Sequence, residues 1–235
     1  MAADRSLFPR SCGVLLHPTS LPGPDGIGDL GEGAHRFVEW LERTGQSLWQ
    51  ILPLGPTGYG DSPYQALSAF AGNPLLIDLE QLVNDGWLTA EDLAGRPTFN
   101  EDRVDFGLTI AWKHGQLDAA WERFQRLATP WQQGEFTDWC DAHAGWLPDF
   151  ALFMAIKEDR GGQPWVEWPA ELRDRDVAAL QEAGERLSGL AGAHRFRQWL
   201  FFTQWARLKA FAAGKGIRLV GDVPIFVAHD SSDVW

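Results

Sequence analysis

The sequence predicts an α/β fold in which a buried parallel sheet is interrupted by a large helical insertion. Three observations predict it. A strand–helix–strand pattern occupies residues 13–54, strand patterns disappear across residues 80–190, and a helix followed by an apolar strand returns over residues 196–227. Strand, helix and strand in so short a stretch form a βαβ unit, which implies parallel pairing through a right-handed crossover.

The elements follow in order. Residues 13–16 (GVLL) are an apolar run bounded by Cys12 and His17-Pro18, a buried strand. Residues 17–33 are too rich in proline and glycine for anything but a loop. A helix is expected over residues 33–44, because Phe37, Trp40 and Leu41 share one face and Gly45 supplies the stop. The next strand spans residues 48–54, broken at Pro53. A loop carrying Tyr59, Asp61, Ser62 and Tyr64 follows, and a return strand over residues 73–79 closes it. Rings and short polar groups on a loop between strands suit a binding site. Helices are expected over residues 108–127, 146–157 and 177–187, with GGQPWVEWP (residues 161–169) as a rigid loop whose two tryptophans pack on a wall. An amphipathic helix over residues 196–213 ends at Gly214 and Gly216, and a third strand over residues 217–227 carries Asp222.

Composition bounds the function. The chain has 235 residues, 45% of them hydrophobic, enough for one large domain or one domain with an insertion. Thirteen Trp and fourteen Phe against two Tyr fit either a core or a carbohydrate cleft, since indoles stack on sugar faces. A net charge of −12 argues against nucleic acid, anionic membranes and polyanionic substrates, but sets no barrier to a neutral ligand. Cys12 and Cys140 show neither a disulfide framework nor zinc spacing, so two free thiols in a reducing compartment are expected. The apolar run near the N-terminus is too short for a signal peptide, and none approaches membrane-spanning length, so a cytoplasmic protein is expected.

Candidate chemistry is sparse. Gly26-Ile27-Gly28-Asp29-Leu30-Gly31 spells GxGxxG between a strand and a helix, as in a dinucleotide site. Pro22 and Pro24 lengthen the turn, however, and the second strand ends in Leu52-Pro53-Leu54-Gly55 where an acid is wanted for the ribose, so a glycine-rich connection is the better reading. His17 is either a ligand or base, or a hydrogen-bonded structural histidine. No metal spacing appears, and no metal or cofactor is expected. Asp222, at the carboxyl end of a parallel strand, is either an active-site carboxylate or a cap on loop N–H groups. Asp61, Ser62 and Tyr64 offer a carboxylate, a hydroxyl and a ring, suited to a neutral sugar or to an Asx turn over a buried ring.

Five long strings carry a resemblance: GVLLHPTSLPGPDGIGDLG, LWQILPLGPTGYGDSPYQALSAFAGNPLLIDL, DFALFMAIKEDRGGQPWVEWP, QWLFFTQWARLKAFA and GIRLVGDVPIFVAHDSSDVW. Across nearly the whole chain they resemble the 4-α-glucanotransferases known as amylomaltases or disproportionating enzymes, of the α-amylase superfamily. The resemblance implies a (β/α)₈ TIM barrel, here its first three strands. Residues 1–79 begin it, 80–195 form a mainly helical inserted subdomain, and 196–235 continue it. It also implies transfer of α-1,4-glucan segments between maltooligosaccharides by retaining double displacement, which uses a nucleophilic and an acid/base carboxylate. Ser62 and Tyr64, with Asp61 beside them, are then substrate contacts, Asp222 is a supporting acid that does not attack, and Tyr59 belongs to a secondary glucan site. A second aromatic of that site is replaced here by Ile110. The family's Arg-Ile-Asp-His-Phe-type nucleophile motif does not occur, so no catalytic residue is assigned and the chain alone is expected to be inactive. A non-catalytic glucan-binding fragment is the alternative, and a dinucleotide-dependent oxidoreductase a distant one.

Overall fold

The computed structural model describes residues 10–235, apart from the side chain of Tyr59. β1 (Gly13–Leu15) leads through a proline-started 3₁₀ turn, Pro18–Ser20, to α1 (Glu32–Arg43) and then β2 (Leu48–Gln50). α2 (Leu79–Asn84), α3 (Phe106–Leu127), α4 (Pro130–Ala142), α5 (Leu147–Asp159), α6 (Ala170–Arg173), α7 (Val177–Arg186) and α8 (Ser188–Gly214) follow, and β3 (Arg218–Val220) returns to the sheet. The strands pair in parallel in the order β1-β2-β3, with Leu15 opposite Gln50 and Gln50 opposite Val220. This is an α/β architecture with a three-stranded parallel sheet.

Each strand is shorter than its apolar run. β2 makes one further bond, from Ile51 N–H to the Val220 carbonyl at 3.0 Å, and then meets Pro53; the chain beyond β3 meets Pro224. Proline has no N–H to give a ladder and so ends it. The central strand carries Trp49, fully buried, whose indole N–H donates to the Leu16 carbonyl at 2.8 Å.

The expected return strand over residues 73–79 does not form. Asn73 instead caps a 3₁₀ turn, Pro74–Leu76, and Asp78 caps α2 by accepting from Glu80 N–H at 3.0 Å. Two side-chain amides of α8 replace the sheet ladder. Gln198 accepts from Gly72 N–H at 2.7 Å and donates to the Gly72 carbonyl at 2.9 Å, and Gln204 does the same for Asp78 at 2.8 and 3.0 Å. The backbone polar groups of a buried segment must be paired, and glutamine can pair both at once.

α8 also departs from expectation. It begins at Ser188 instead of residue 196; its first half buries a broad face that includes Phe196, Arg197, Gln198, Leu200 and Phe201, and its second half buries the narrower line Gln204, Leu208 and Ala212. Positions 206, 207, 209, 210 and 213 stay exposed, so the second half keeps the one-sided pattern of an amphipathic helix. One of its sides joins α1, β2 and α3 in a core containing Val38, Trp49, Leu79, Phe124 and Phe201. A second apolar cluster lies around α5 and α7, with Phe153, Trp168, Ala183 and Trp235.

Candidate functional site

The site is built on the carboxyl ends of the parallel strands, which all lie at one side of the sheet. From the register, His17 and Asp222 each sit two residues past paired strand ends. The His17 ring is half-buried, and burial lowers its pKa to about 4, so it is neutral at physiological pH; its Nδ1 has no hydrogen-bond partner among the described residues.

Beyond β2 the chain folds back on itself. Thr57 and Ala66 form an antiparallel bridge, Gly58 N–H donates to the Gln65 carbonyl at 2.9 Å, and Leu67 N–H to the Pro56 carbonyl at 2.8 Å. Gly60 and Asp61 turn the tip with φ of 78° and 52°; a left-handed backbone is free for glycine and tolerated by aspartate. Ser62 Oγ accepts from Tyr64 N–H at 3.4 Å. The Tyr64 hydroxyl then donates to Asp222 Oδ2 at 2.7 Å, while Asp222 Oδ1 accepts from Val223 N–H at 2.8 Å. Asp222 is therefore both a local cap and a partner of the aromatic loop. The hydrogen bond to Asp222 is the main reason the Tyr64 hydroxyl is held above its ordinary pKa, with burial and the carboxylate charge adding to it.

Of the residues singled out in the sequence, Tyr64 and Asp222 are brought together, with Ser62 tied to Tyr64 and Asp61 in the turn beside them. Tyr59 begins the 3₁₀ turn at the loop tip, and its side chain lies outside the described residues. Ile110 lies half-buried on α3. Beside the Tyr64–Asp222 pair a cleft of about 790 Å³ opens. Gly58, Gln65 and Leu67 of the aromatic loop, Lys157 and Pro164 from α5 and the loop after it, and residues 226–230 line it. Tyr64 precedes the lining residue Gln65 in the chain, and neither Tyr64 nor Asp222 is part of the lining.

The glycine-rich loop is closed by the protein itself. A Cβ on Gly28 would lie 2.0 Å from the Pro18 carbonyl oxygen, one on Gly31 2.4 Å from Asp78 Oδ2, and one on Gly26 2.3 Å from the Phe99 ring. These glycines permit close packing of chain on chain. Two buried aspartates that sequence reasoning missed hold the loop. Asp25 accepts from Arg96 Nε at 3.0 Å and from the Trp112 indole at 2.7 Å. Asp29 accepts from Gly31 N–H at 3.0 Å and lies 3.5 Å from the fully buried Lys113 ammonium, which donates to the Leu75 carbonyl at 2.8 Å. Nearby, burial and the Asp29 charge raise the pKa of Asp78 to about 6. The signal available beforehand was the pair of acids inside a glycine run. In GGQPWVEWP, Trp168 enters the second apolar cluster and Trp165 stacks on His229, with ring centres 5.3 Å apart. Among the described residues no group of three or more His, Cys, Asp or Glu side chains could hold a metal ion, and no helix is long and apolar enough to cross a membrane.

A family model described as 4-alpha-glucanotransferase matches residues 16–235. The chain is 52% identical to the 4-alpha-glucanotransferase of Thermus thermophilus over 228 residues, which cover 97% of this chain and 45% of the relative. It is 47% identical to that of a Synechocystis species over 226 residues, covering 96% and 45%. Among solved structures it superposes on the amylomaltase from Streptococcus agalactiae in complex with acarbose with a TM-score of 0.92 at 38% identity, covering 97% of this chain and 46% of the other. The chain thus spans less than half the length of the curated relatives it matches. With a match over nearly every residue, this chain belongs to the 4-alpha-glucanotransferase family.

Proposed function

We propose that this chain supplies one wall of the glucan cleft of a cytoplasmic 4-α-glucanotransferase, which moves α-1,4-glucan segments between maltooligosaccharides. The observation that carries the reading is the Tyr64–Asp222 hydrogen bond, which joins the loop after β2 to the strand end of β3 beside a large open cleft. Tyr64 is 44% exposed, so its ring remains available to a sugar face. Ser62 and Asp61 offer partners for sugar hydroxyls. The acidic chain repels polyanions and is indifferent to a neutral glucan.

In the retaining reaction one carboxylate attacks the anomeric carbon and a second protonates the leaving oxygen, then deprotonates the acceptor. Asp222 is engaged by Tyr64 and its own backbone, which suits a supporting role near the developing positive charge better than attack. The three parallel strands are read as the opening of a (β/α)₈ barrel, with residues 80–195 as an inserted subdomain. Val223, Ile225 and Phe226 are strongly exposed just past β3, as expected for a face that further barrel elements would cover.

Calorimetric titration of the 235-residue chain with maltoheptaose tests the reading. Binding that weakens in Tyr64→Ala supports it, and unchanged affinity in a folded variant overturns it. Incubation with maltotriose should leave the sugar unchanged, because the family's nucleophile motif is not in this sequence. Appearance of glucose with longer dextrins would refute that part.

A further inference from the structure

Two aspartates outside the Tyr64–Asp222 pair each commit both carboxylate oxygens, Asp230 to the α5 end and the loop after it, Asp233 to the far end of the aromatic loop. Asp230 Oδ2 accepts from Lys157 Nζ at 2.6 Å and its Oδ1 accepts from Trp165 N–H at 3.2 Å. Lys157 ends α5 and also donates to the Gln163 carbonyl at 3.3 Å, and the Trp165 indole donates to the His229 carbonyl at 2.7 Å. Three residues later, Asp233 Oδ1 accepts from Ser68 Oγ at 2.9 Å and its Oδ2 from Ala69 N–H at 2.6 Å. Ser232 N–H donates to the Leu67 carbonyl at 2.9 Å. Residues 229–233 therefore run as a strap from the α5 end and its following loop to the far end of the aromatic loop.

The strap is also anchored at its middle and just beyond its end. Ser231 is fully buried and donates to the Ala228 carbonyl at 2.6 Å. Trp235 is buried against Phe153 and Trp168, donates to the Leu172 carbonyl at 3.0 Å, and has the Arg175 guanidinium 4.4 Å from its ring centre. Charge-assisted hydrogen bonds are the stronger and more directional kind, so two fully used carboxylates on an anchored segment fix the distance between the elements they hold.

We propose that Asp233, which is not part of the cleft lining, is a positioning residue that sets the separation of the aromatic loop from the α5 side and so tunes glucan affinity without touching the sugar, while Asp230, itself in the lining, holds the α5 end of the strap. This rests on the reading of the cleft as a glucan site. Leu67 and Gln65 line one side and Lys157 and Pro164 another, and each lies on or next to a segment the strap holds. Releasing Ala69 frees the loop that carries Tyr64 to drift from the α5 side.

The test compares the wild-type chain with Asp233→Ala, Asp233→Asn and Asp230→Ala, all well below their melting midpoints. Maltoheptaose affinity is expected to fall about tenfold in each alanine variant and by less in Asp233→Asn, which keeps one acceptor oxygen. Amide exchange should quicken at Ala69 in Asp233→Ala and at Trp165 in Asp230→Ala. Variants that melt earlier yet bind maltoheptaose with wild-type affinity overturn the proposal, because the strap then serves stability alone. Failure of the wild-type chain to bind overturns the glucan reading instead, and exchange at Ala69 then decides whether Asp233 holds the loop. If Asp233→Ala fails to fold, Asp233→Asn carries the comparison, because Asp230 itself lines the cleft.

Discussion

The Tyr64 hydroxyl donates to Asp222 across 2.7 Å, linking residues 158 positions apart in the chain. The bond ties the aromatic loop after the second strand to the carboxyl end of the third. It orients the Tyr64 ring and holds one oxygen of Asp222, so each residue sets the place of the other.

Tyr64 should therefore show graded effects on glucan binding. Tyr64→Phe keeps the stacking face and loses the anchor, whereas Tyr64→Ala loses both. The alanine variant is expected to weaken maltoheptaose binding by about 1 kcal/mol or more, with phenylalanine between it and the wild type. Titration calorimetry on the folded chains reads the difference.

The same bond should appear in the phenol titration. Asp222 raises the Tyr64 pKa above 10.0, chiefly by accepting the proton that ionisation would remove. Since the chain has two tyrosines, a Tyr59→Phe background leaves Tyr64 as the sole phenol. Ultraviolet absorbance should then titrate late, and adding Asp222→Asn should move the midpoint back toward 10.0. Equal midpoints would show that the bond does not persist in solution.

Asp78 gives a pH signature of stability. Its pKa rises from 3.8 to about 6, first through burial and then through the Asp29 charge. Between these values the unfolded chain has released the proton and the folded chain retains it, so more protons are bound when folded and stability falls as pH rises. The contribution is full below pH 4 and gone above about pH 6. Asp78→Asn keeps the helix-capping oxygen and removes this titration. Urea unfolding should show the variant gaining on the wild type between pH 4 and pH 7, by about 1–3 kcal/mol.

Arg197 offers a test of buried charge. Its side chain is 3% exposed, donates to Asp118, and also approaches His194 Nδ1 at 3.4 Å. Asp118→Ala strands the guanidinium, and since Asp118 is half-exposed and water can partly replace it, the loss should be about 1–3 kcal/mol. Arg197→Met removes the charge and fills the volume, so it should cost less than Asp118→Ala in denaturant unfolding.

Gly72 should not tolerate a side chain. A Cβ there would lie 2.0 Å from the Phe201 ring, and Gln198 holds both backbone groups of Gly72 so that it cannot retreat. Gly72→Ala is expected to destabilise by about 1–3 kcal/mol or more. Gly134→Ala, on α4 with nothing near its Cβ position, should stabilise by up to about 1 kcal/mol. Thermal unfolding of the two variants should move in opposite directions.

The sequence by itself determined the local elements and their class. Helices expected over residues 33–44 and 177–187 form as Glu32–Arg43 and Val177–Arg186, and strands begin at Gly13 and Leu48 as their apolar runs indicated. These depend on periodicity and stop signals within a few residues, which a chain displays without folding. Tyr64 was legible as a ring on the loop after the second strand and Asp222 as a carboxylate at a strand end, but their meeting was not. Only tertiary structure decided that, because the register of β2 and β3 and the fold-back of the loop at Thr57 and Ala66 together bring the ring to the Asp222 strand end. It also decided that residues 73–79 turn instead of pairing as a strand, since Gln198 and Gln204 reach their backbone from a helix 126 residues away. The burial of Asp25, Asp29 and Lys113 was likewise decided by packing: the glycine run around the two acids marks the place, but only tertiary contacts remove the charges from water.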